Sequence, residues 1–166
     1  KTPFPLIQGT DCCGIIEKTG NADCELKIGQ RVIVRACMRT NGYDSLDNIW
    51  MASDFDGAFA QYVRVPASEV FVINCDWSDS ELATIPCAYG TAESMIHRAQ
   101  VKVGDRVLIC GASGGVGSAA VQLCKRRGAT VIAIVGQSKR DEVAKLGIDR
   151  IIDRNTDVVN ELGESS

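Results

Sequence analysis

The sequence predicts a β region followed by the first half of a doubly wound parallel sheet. Two observations carry this. Residues 1–75 break into short apolar runs divided by turn residues, and from Ser78 the apolar period changes to that of helices. Arg106–Gly117 then starts as an apolar run, breaks into glycines and resumes as a helical pattern before a second apolar run at Thr130–Val135.

In chain order, residues 1–9 are extended, given Pro3 and Pro5. Ile15–Lys18 reads as a strand ending at Gly20-Asn21, and Lys27-Ile28-Gly29-Gln30 as a turn into a strand at Arg31–Val34. A polar loop covers 36–57, mixing Thr40, Asn41, Gly42, Asp44, Ser45 and Asp47 with Trp50 and Met51. At roughly 20 residues it exceeds most connections. Gly57–Val65 alternates as a strand stopped by Pro66, and Val70–Ile73 is another.

Ser78-Asp79-Ser80-Glu81 has the form of a helix start, which Pro86 interrupts. Tyr89–Gln100 then reads as a helix with Ala92, Met95, Ile96 and Ala99 on one face. After the glycines, Val116, Ala120, Leu123 and Cys124 fall at i, i+4, i+7 and i+8. Lys125-Arg126-Arg127 occupy the last turn and Gly128 the C-cap. Thr130–Val135 is a strand, Ser138–Leu146 a helix closed by Gly147, Arg150–Ile152 a strand, and 155–166 a weak helical segment. The boundary falls where strands give way to helices, near Leu82–Pro86, dividing 1–85 from 86–166.

The net charge of −3 gives no electrostatic reason to expect nucleic acid or an anionic membrane as partner. No apolar run approaches the roughly 20 residues of a membrane span. The start of the chain has neither an initiator Met nor a signal-peptide layout. Eight cysteines without a C-x-x-C, with Cys12 and Cys13 adjacent, make a poor disulfide framework. They read as reduced, largely buried thiols of a cytoplasmic protein.

Ala112, Gly114 and Gly117 fill the three small-residue positions of a G-x-G-x-x-G turn between strand and helix. Such a turn brings free backbone N–H groups and the positive end of a helix dipole to one point, which suits a pyrophosphate. Ala112, Ser113, Gly114, Gly115, Val116 and Gly117 are the candidate cofactor residues, against the alternative of a glycine-rich turn with no ligand. An NAD site carries an acid at the end of the second strand. Here Val135-Gly136-Gln137 stands there, followed by Ser138, Lys139 and Arg140. Donors and positive charge suit a 2′-phosphate and a carboxylate would repel it, so the expected cofactor is NADP(H). The alternatives are that Ser138 caps a helix and that Lys139 and Arg140 are solvated surface.

Gly9-Thr10-Asp11-x-x-Gly14, Gly57-Ala58-Phe59-Ala60-Gln61-Tyr62, Pro86-Cys87-Ala88-Tyr89-Gly90-Thr91-Ala92 and Gly111–Gly117 occur in that order. In this the chain resembles the medium-chain dehydrogenase/reductase superfamily, which includes zinc alcohol dehydrogenases and zinc-free quinone and enoyl reductases. The resemblance implies part of a GroES-like β barrel (1–85) followed by the first half of a Rossmann sheet (86–166), read as an internal segment lacking both ends of the family. It implies a small-molecule substrate and a homo-oligomeric parent.

Zinc members carry a ligand histidine where this chain has Thr10, followed by Asp11. Threonine is a poor zinc ligand. Cys87 matches another ligand position, with the alternative of a small buried residue at a helix start, and the only histidine, His97, reads as surface. The family's structural zinc lobe needs four close cysteines, and the 36–57 loop has only Cys37. No metal is expected, zinc included. Without it the resemblance implies hydride transfer from NADPH to a quinone or an activated C=C or carbonyl. Thr10, Asp11 and Cys87 are then the catalytic candidates, and Thr91 contacts cofactor. Tyr62 and Tyr89 are possible proton donors, with buried aromatics the better reading for each. A zinc alcohol dehydrogenase and a non-catalytic cofactor-binding fragment are the alternatives.

Overall fold

The computed structural model describes residues 4–20, 25–38 and 47–163. Thr40, Asn41, Gly42, Asp44, Ser45, Asn21 and Cys24 lie outside these residues. The chain divides into two compact units, Lys1–Cys87 and Ala88–Ser166.

In the first unit β1 (Cys13–Ile15), β2 (Arg31–Val34) and β5 (Val70–Val72) form an antiparallel sheet in the order β1-β2-β5. Gly14 opposes Val32, and Ile33 opposes Phe71 on the other side. Period-two alternation puts Val32 and Val34 inside and leaves Arg31 and Ile33 half-buried. A second pair, β3 (Cys37–Met38) and β4 (Ile49–Trp50), is antiparallel with Cys37 opposite Trp50. Among the described residues these strands do not close into a barrel. Val34, Ala36, Met38 and Met51 form the core, with Phe55, Ala58, Val63, Val65 and Val70 packed against it.

Four sequence expectations change here. The 36–57 loop contains the β3–β4 pair, because Met38 and Met51 are apolar enough to fold back onto β2 and are fully buried. Gly57–Val65 is not a strand. Its amides bond the extended start of the chain instead, from Gly57 to Ile7, Ala58 to Gly9 and Phe59 to Gln8. Val63 and Val65 still face the core while Phe59 and Tyr62 are 77% and 72% exposed. Tyr62 is thus not a buried aromatic. The Ile15–Lys18 strand lies earlier, at β1, although Ile16 continues the pairing with Gln30 and Gly29.

Helix α1 (Asp79–Ala83) starts as expected: the Ser78 hydroxyl accepts the Glu81 N–H and the Glu81 carboxylate accepts the Ser78 N–H. The helix begun at Ser78 is interrupted as expected, ending at Ala83, but helix α2 (Ile85–Arg98) starts before Tyr89 and takes in Pro86 as its second residue. Proline is tolerated in a first turn because the missing N–H has no intrahelical partner there.

In the second unit β6 (Arg106–Cys110), β7 (Thr130–Val135) and β8 (Arg150–Asp153) are parallel in the order β6-β7-β8. This is the strand–helix–strand–helix–strand half expected from sequence, with α3 (Gly115–Arg126), α4 (Arg140–Ala144) and α5 (Val158–Leu162). One sheet face, with Ile109, Val131, Ala133 and Val135, packs on Ala119, Ala120, Val121 and Cys124 of α3, Ala92 and Ile96 of α2, and Val143 of α4. Each fully buried aliphatic side chain contributes on the order of 1.5–3 kcal/mol. Gly128 follows α3 at φ +76°, the left-handed stop that glycine adopts at least cost. The segment expected as one helix from Ser138 is a short 3-10 turn, Gln137–Lys139, leading into α4.

The described cysteines are free, but only Cys124 is buried, whereas Cys75 and Cys110 are exposed. Cys110 alternates onto the sheet face opposite the core, so the apolar run around it did not imply burial of the thiol.

Candidate functional site

The glycine turn is built from the end of β6. The Gly111 N–H bonds Ile134 O at 3.2 Å, which extends the parallel ladder by one residue. Gly111 then takes φ +66°, and the Gly114 N–H returns to Gly111 O at 3.0 Å to close the turn. Gly114 is the N-cap of α3 and its carbonyl accepts the first helical bond, from Ser118 at 2.8 Å. The N–H groups of Gly115, Val116 and Gly117 are therefore left without intrahelical partners. Twelve residues of aligned peptide dipoles end at this point.

Each small residue has its own reason. A Cβ on Gly117 would lie 2.8 Å from the Gly111 carbonyl carbon and 2.9 Å from Ala112 Cα, so this position lets helix and turn close on each other. A Cβ on Gly114 or Gly115 would meet nothing nearer than 3.5 or 3.8 Å. A side chain at either would make only ordinary contact, and both residues are exposed, as an incoming phosphate requires. Ala112 is turned away, 0% exposed within the core. Ser113 is exposed, and Ser118, which the sequence reading missed, anchors the first turn by donating its hydroxyl to Gly115 O at 3.0 Å. The cradle fits a dinucleotide pyrophosphate.

At the end of β7 the structure brings Ser138, Lys139 and Arg140 into one exposed turn. Ser138 makes no capping contact; α4 has Lys139 at its N-cap and no side-chain cap. Lys139 Nζ pairs with Glu142 at 3.0 Å. Arg140 Nη1 donates to Ile151 O at 3.4 Å. Arg154, absent from the sequence reading, arrives at the same place: its N–H bonds Val135 O at 3.0 Å and its guanidinium lies against Gly136. The available signal was the order of parallel strands, which sets the end of the third beside the end of the second.

In the first unit Asp11 and Cys87 meet. Asp11 Oδ1 accepts the Cys87 backbone N–H at 2.7 Å in a half-buried setting. Cys87 is the third residue of α2, and this helix has no acid in its own first turn, so Asp11 supplies the cap. Thr10 is half-buried beside Asp11 in the chain, and Thr91 is exposed one turn after Cys87 on α2. Burial pushes the neighbouring Cys12 thiol up, aided by Cys13 and Asp11. Cys13 is also raised, by burial first and then by Asp79, whose Oδ1 lies 3.7 Å from its sulfur. Among the described residues no three His, Cys, Asp or Glu side chains gather to hold a metal ion. His97 is exposed near the end of α2.

Family comparison agrees with this geometry. A model described as "Alcohol dehydrogenase GroES-like domain" matches residues 1–75, and one described as "Zinc-binding dehydrogenase" matches 115–166. The chain belongs to the medium-chain dehydrogenase/reductase superfamily. It is 33% identical over 171 residues to the crotonyl-CoA carboxylase/reductase of Cereibacter sphaeroides, covering 93% of this chain and 39% of that protein. It is 32% identical over 168 residues to an alcohol dehydrogenase of Geobacillus stearothermophilus, covering 95% and 50% respectively. A solved Sinorhizobium meliloti structure described as an alcohol dehydrogenase superposes with a TM-score of 0.89 at 40% identity, over 96% of this chain and 45% of that one. The chain thus spans half or less of the length of these relatives.

Proposed function

We propose that the protein containing this chain is an NADPH-dependent oxidoreductase that reduces an activated C=C, a quinone or a conjugated carbonyl without zinc. The observation that carries the reading is the open cradle at Gly114–Gly117, with cations and no acid directly after β7. Likeness to a crotonyl-CoA carboxylase/reductase supports a small-molecule substrate with a polarised double bond.

The N–H groups of Gly115, Val116 and Gly117 would hold the pyrophosphate, and the end of β7 the 2′-phosphate. The cofactor, when bound, supplies a hydride to an electrophilic carbon. Conjugation polarises that carbon in the substrate itself, which lessens the need for a Lewis acid. Thr10, Asp11 and Cys87 are the substrate-side residues in this reading, with Thr91 toward the cofactor. Asp11 acts through its bond to the Cys87 N–H, fixing the start of α2 and therefore where the Cys87 thiol stands. A cytoplasmic location is part of this proposal; among the described residues no helix is long and apolar enough to cross a membrane.

The test is NADPH oxidation by the full-length protein with an enoyl thioester, an enone and a quinone, with and without a chelator. Turnover that ignores the chelator is expected. Chelator-sensitive alcohol oxidation with one tightly held zinc would establish the zinc alcohol dehydrogenase reading. Tight NADPH binding without turnover of any acceptor would establish the non-catalytic one.

A further inference from the structure

Resting on the NADP(H) reading, we propose that Arg154, rather than Lys139 or Arg140, is the cation that engages the 2′-phosphate and selects NADP(H) over NAD(H). The sequence placed this role on the residues directly after β7, and the structure redistributes it.

Arg154 is fixed by its backbone. It is the first residue after β8, and its N–H bonds Val135 O at 3.0 Å, bringing it beside the last residue of β7. Its guanidinium occupies the space that a side chain at 136 would fill: a Cβ on Gly136 would lie 3.0 Å from Nη2 and 3.1 Å from Cζ. Gly136 has φ −77°, which any residue adopts, so its distinctive feature is the room it leaves for the guanidinium and not its backbone conformation.

The rival cations are engaged. Lys139 is in an ion pair with Glu142, and Arg140 is directed back to the Ile151 carbonyl. The Arg154 guanidinium is exposed and has no hydrogen-bond or ion-pair partner among the described residues. The acid beside it, Asp153, is turned into its own loop, where Oδ1 accepts the Asn155 N–H at 2.8 Å. An unpaired guanidinium at the end of the second strand offers two parallel donors to a phosphate and no comparable match to a ribose hydroxyl.

The test measures dissociation constants by calorimetry on the full-length protein for NADPH, NADH, 2′,5′-ADP and 5′-AMP. Arg154→Gln is expected to weaken NADPH and 2′,5′-ADP about 10- to 100-fold, the range for a charged hydrogen-bonded pair, and to leave NADH and 5′-AMP unchanged. Arg154→Lys retains the charge but loses the fork, giving a smaller loss. Gly136→Ala displaces the guanidinium without changing any charge and lowers NADPH affinity in the same selective way. Because the Arg154 side chain is exposed, thermal melts of these variants should match the wild type. A wild type that prefers NADH, or binds neither dinucleotide, overturns both the cofactor reading and this one. NADPH preference that survives in Arg154→Gln, or falls further in Lys139→Gln or Arg140→Gln, overturns this one alone. Equal weakening of NADPH and NADH in Arg154→Gln overturns it as well, pointing to contact with the adenosine instead.

Discussion

The Asp11 carboxylate accepts the backbone N–H of Cys87 at 2.7 Å, joining residues 76 apart in the chain. With proline at the second position of α2 and no acid in its first turn, the start of this helix depends on a residue next to β1. Asp11→Ala should therefore destabilise the first unit by about 1–2 kcal/mol, as for other lost helix caps. Asp11→Asn retains an acceptor and should cost less. Denaturant melts of both variants check this, and equal stability of wild type and Asp11→Ala would deny the capping role.

Gly114 and Gly117 should separate binding from folding. Gly117→Ala places a Cβ against the backbone of Gly111 and Ala112, so it should lower stability by about 1–3 kcal/mol through overpacking. Gly114→Ala meets nothing closer than 3.5 Å and should melt near the wild type while losing dinucleotide affinity, because its methyl stands over the cradle. Unchanged NADPH titrations with Gly114→Ala would place the cofactor elsewhere.

Acid should release a specific tie in the second unit. Asp149 accepts from Lys125 Nζ at 2.8 Å and from the Val131 N–H at 2.7 Å, and these bonds hold its carboxyl below the usual range, the Lys125 bond contributing most. A carboxyl depressed by folding stabilises above its unfolded value, and that stability is lost as pH falls through the folded value. Melting temperatures of wild type and Asp149→Asn should differ at neutral pH and converge below about pH 4, the ordinary aspartate range. A constant difference down to strong acid would deny the ionic part.

Thiol labelling should follow burial and not sequence neighbourhood. The exposed thiols of Cys75 and Cys110 should alkylate first at neutral pH. Burial raises Cys124, Cys12 and Cys13, the last two with help from neighbouring acidic groups, so their thiolate fraction is smaller and labelling slower. Peptide mapping after timed iodoacetamide exposure measures the order, and early labelling of Cys124 would contradict it.

The apolar periods and glycines of residues 106–153 determined the parallel half-sheet unaided, because strand, turn and helix there are local structures whose side chains repeat every two or 3.6 residues. The same local logic located the candidate phosphate cradle, since free N–H groups at a helix start follow from the turn itself. It failed for Gly57–Val65, where alternation was real but the backbone partners were Ile7, Gln8 and Gly9, and for Met38 and Met51, whose burial needed a chain reversal. The bond from Asp11 to Cys87 and the placing of Arg154 on Gly136 were likewise decided only by tertiary structure. Each joins residues far apart in sequence, and no local period or propensity records which distant group will arrive to satisfy an N–H or fill the space beside a glycine.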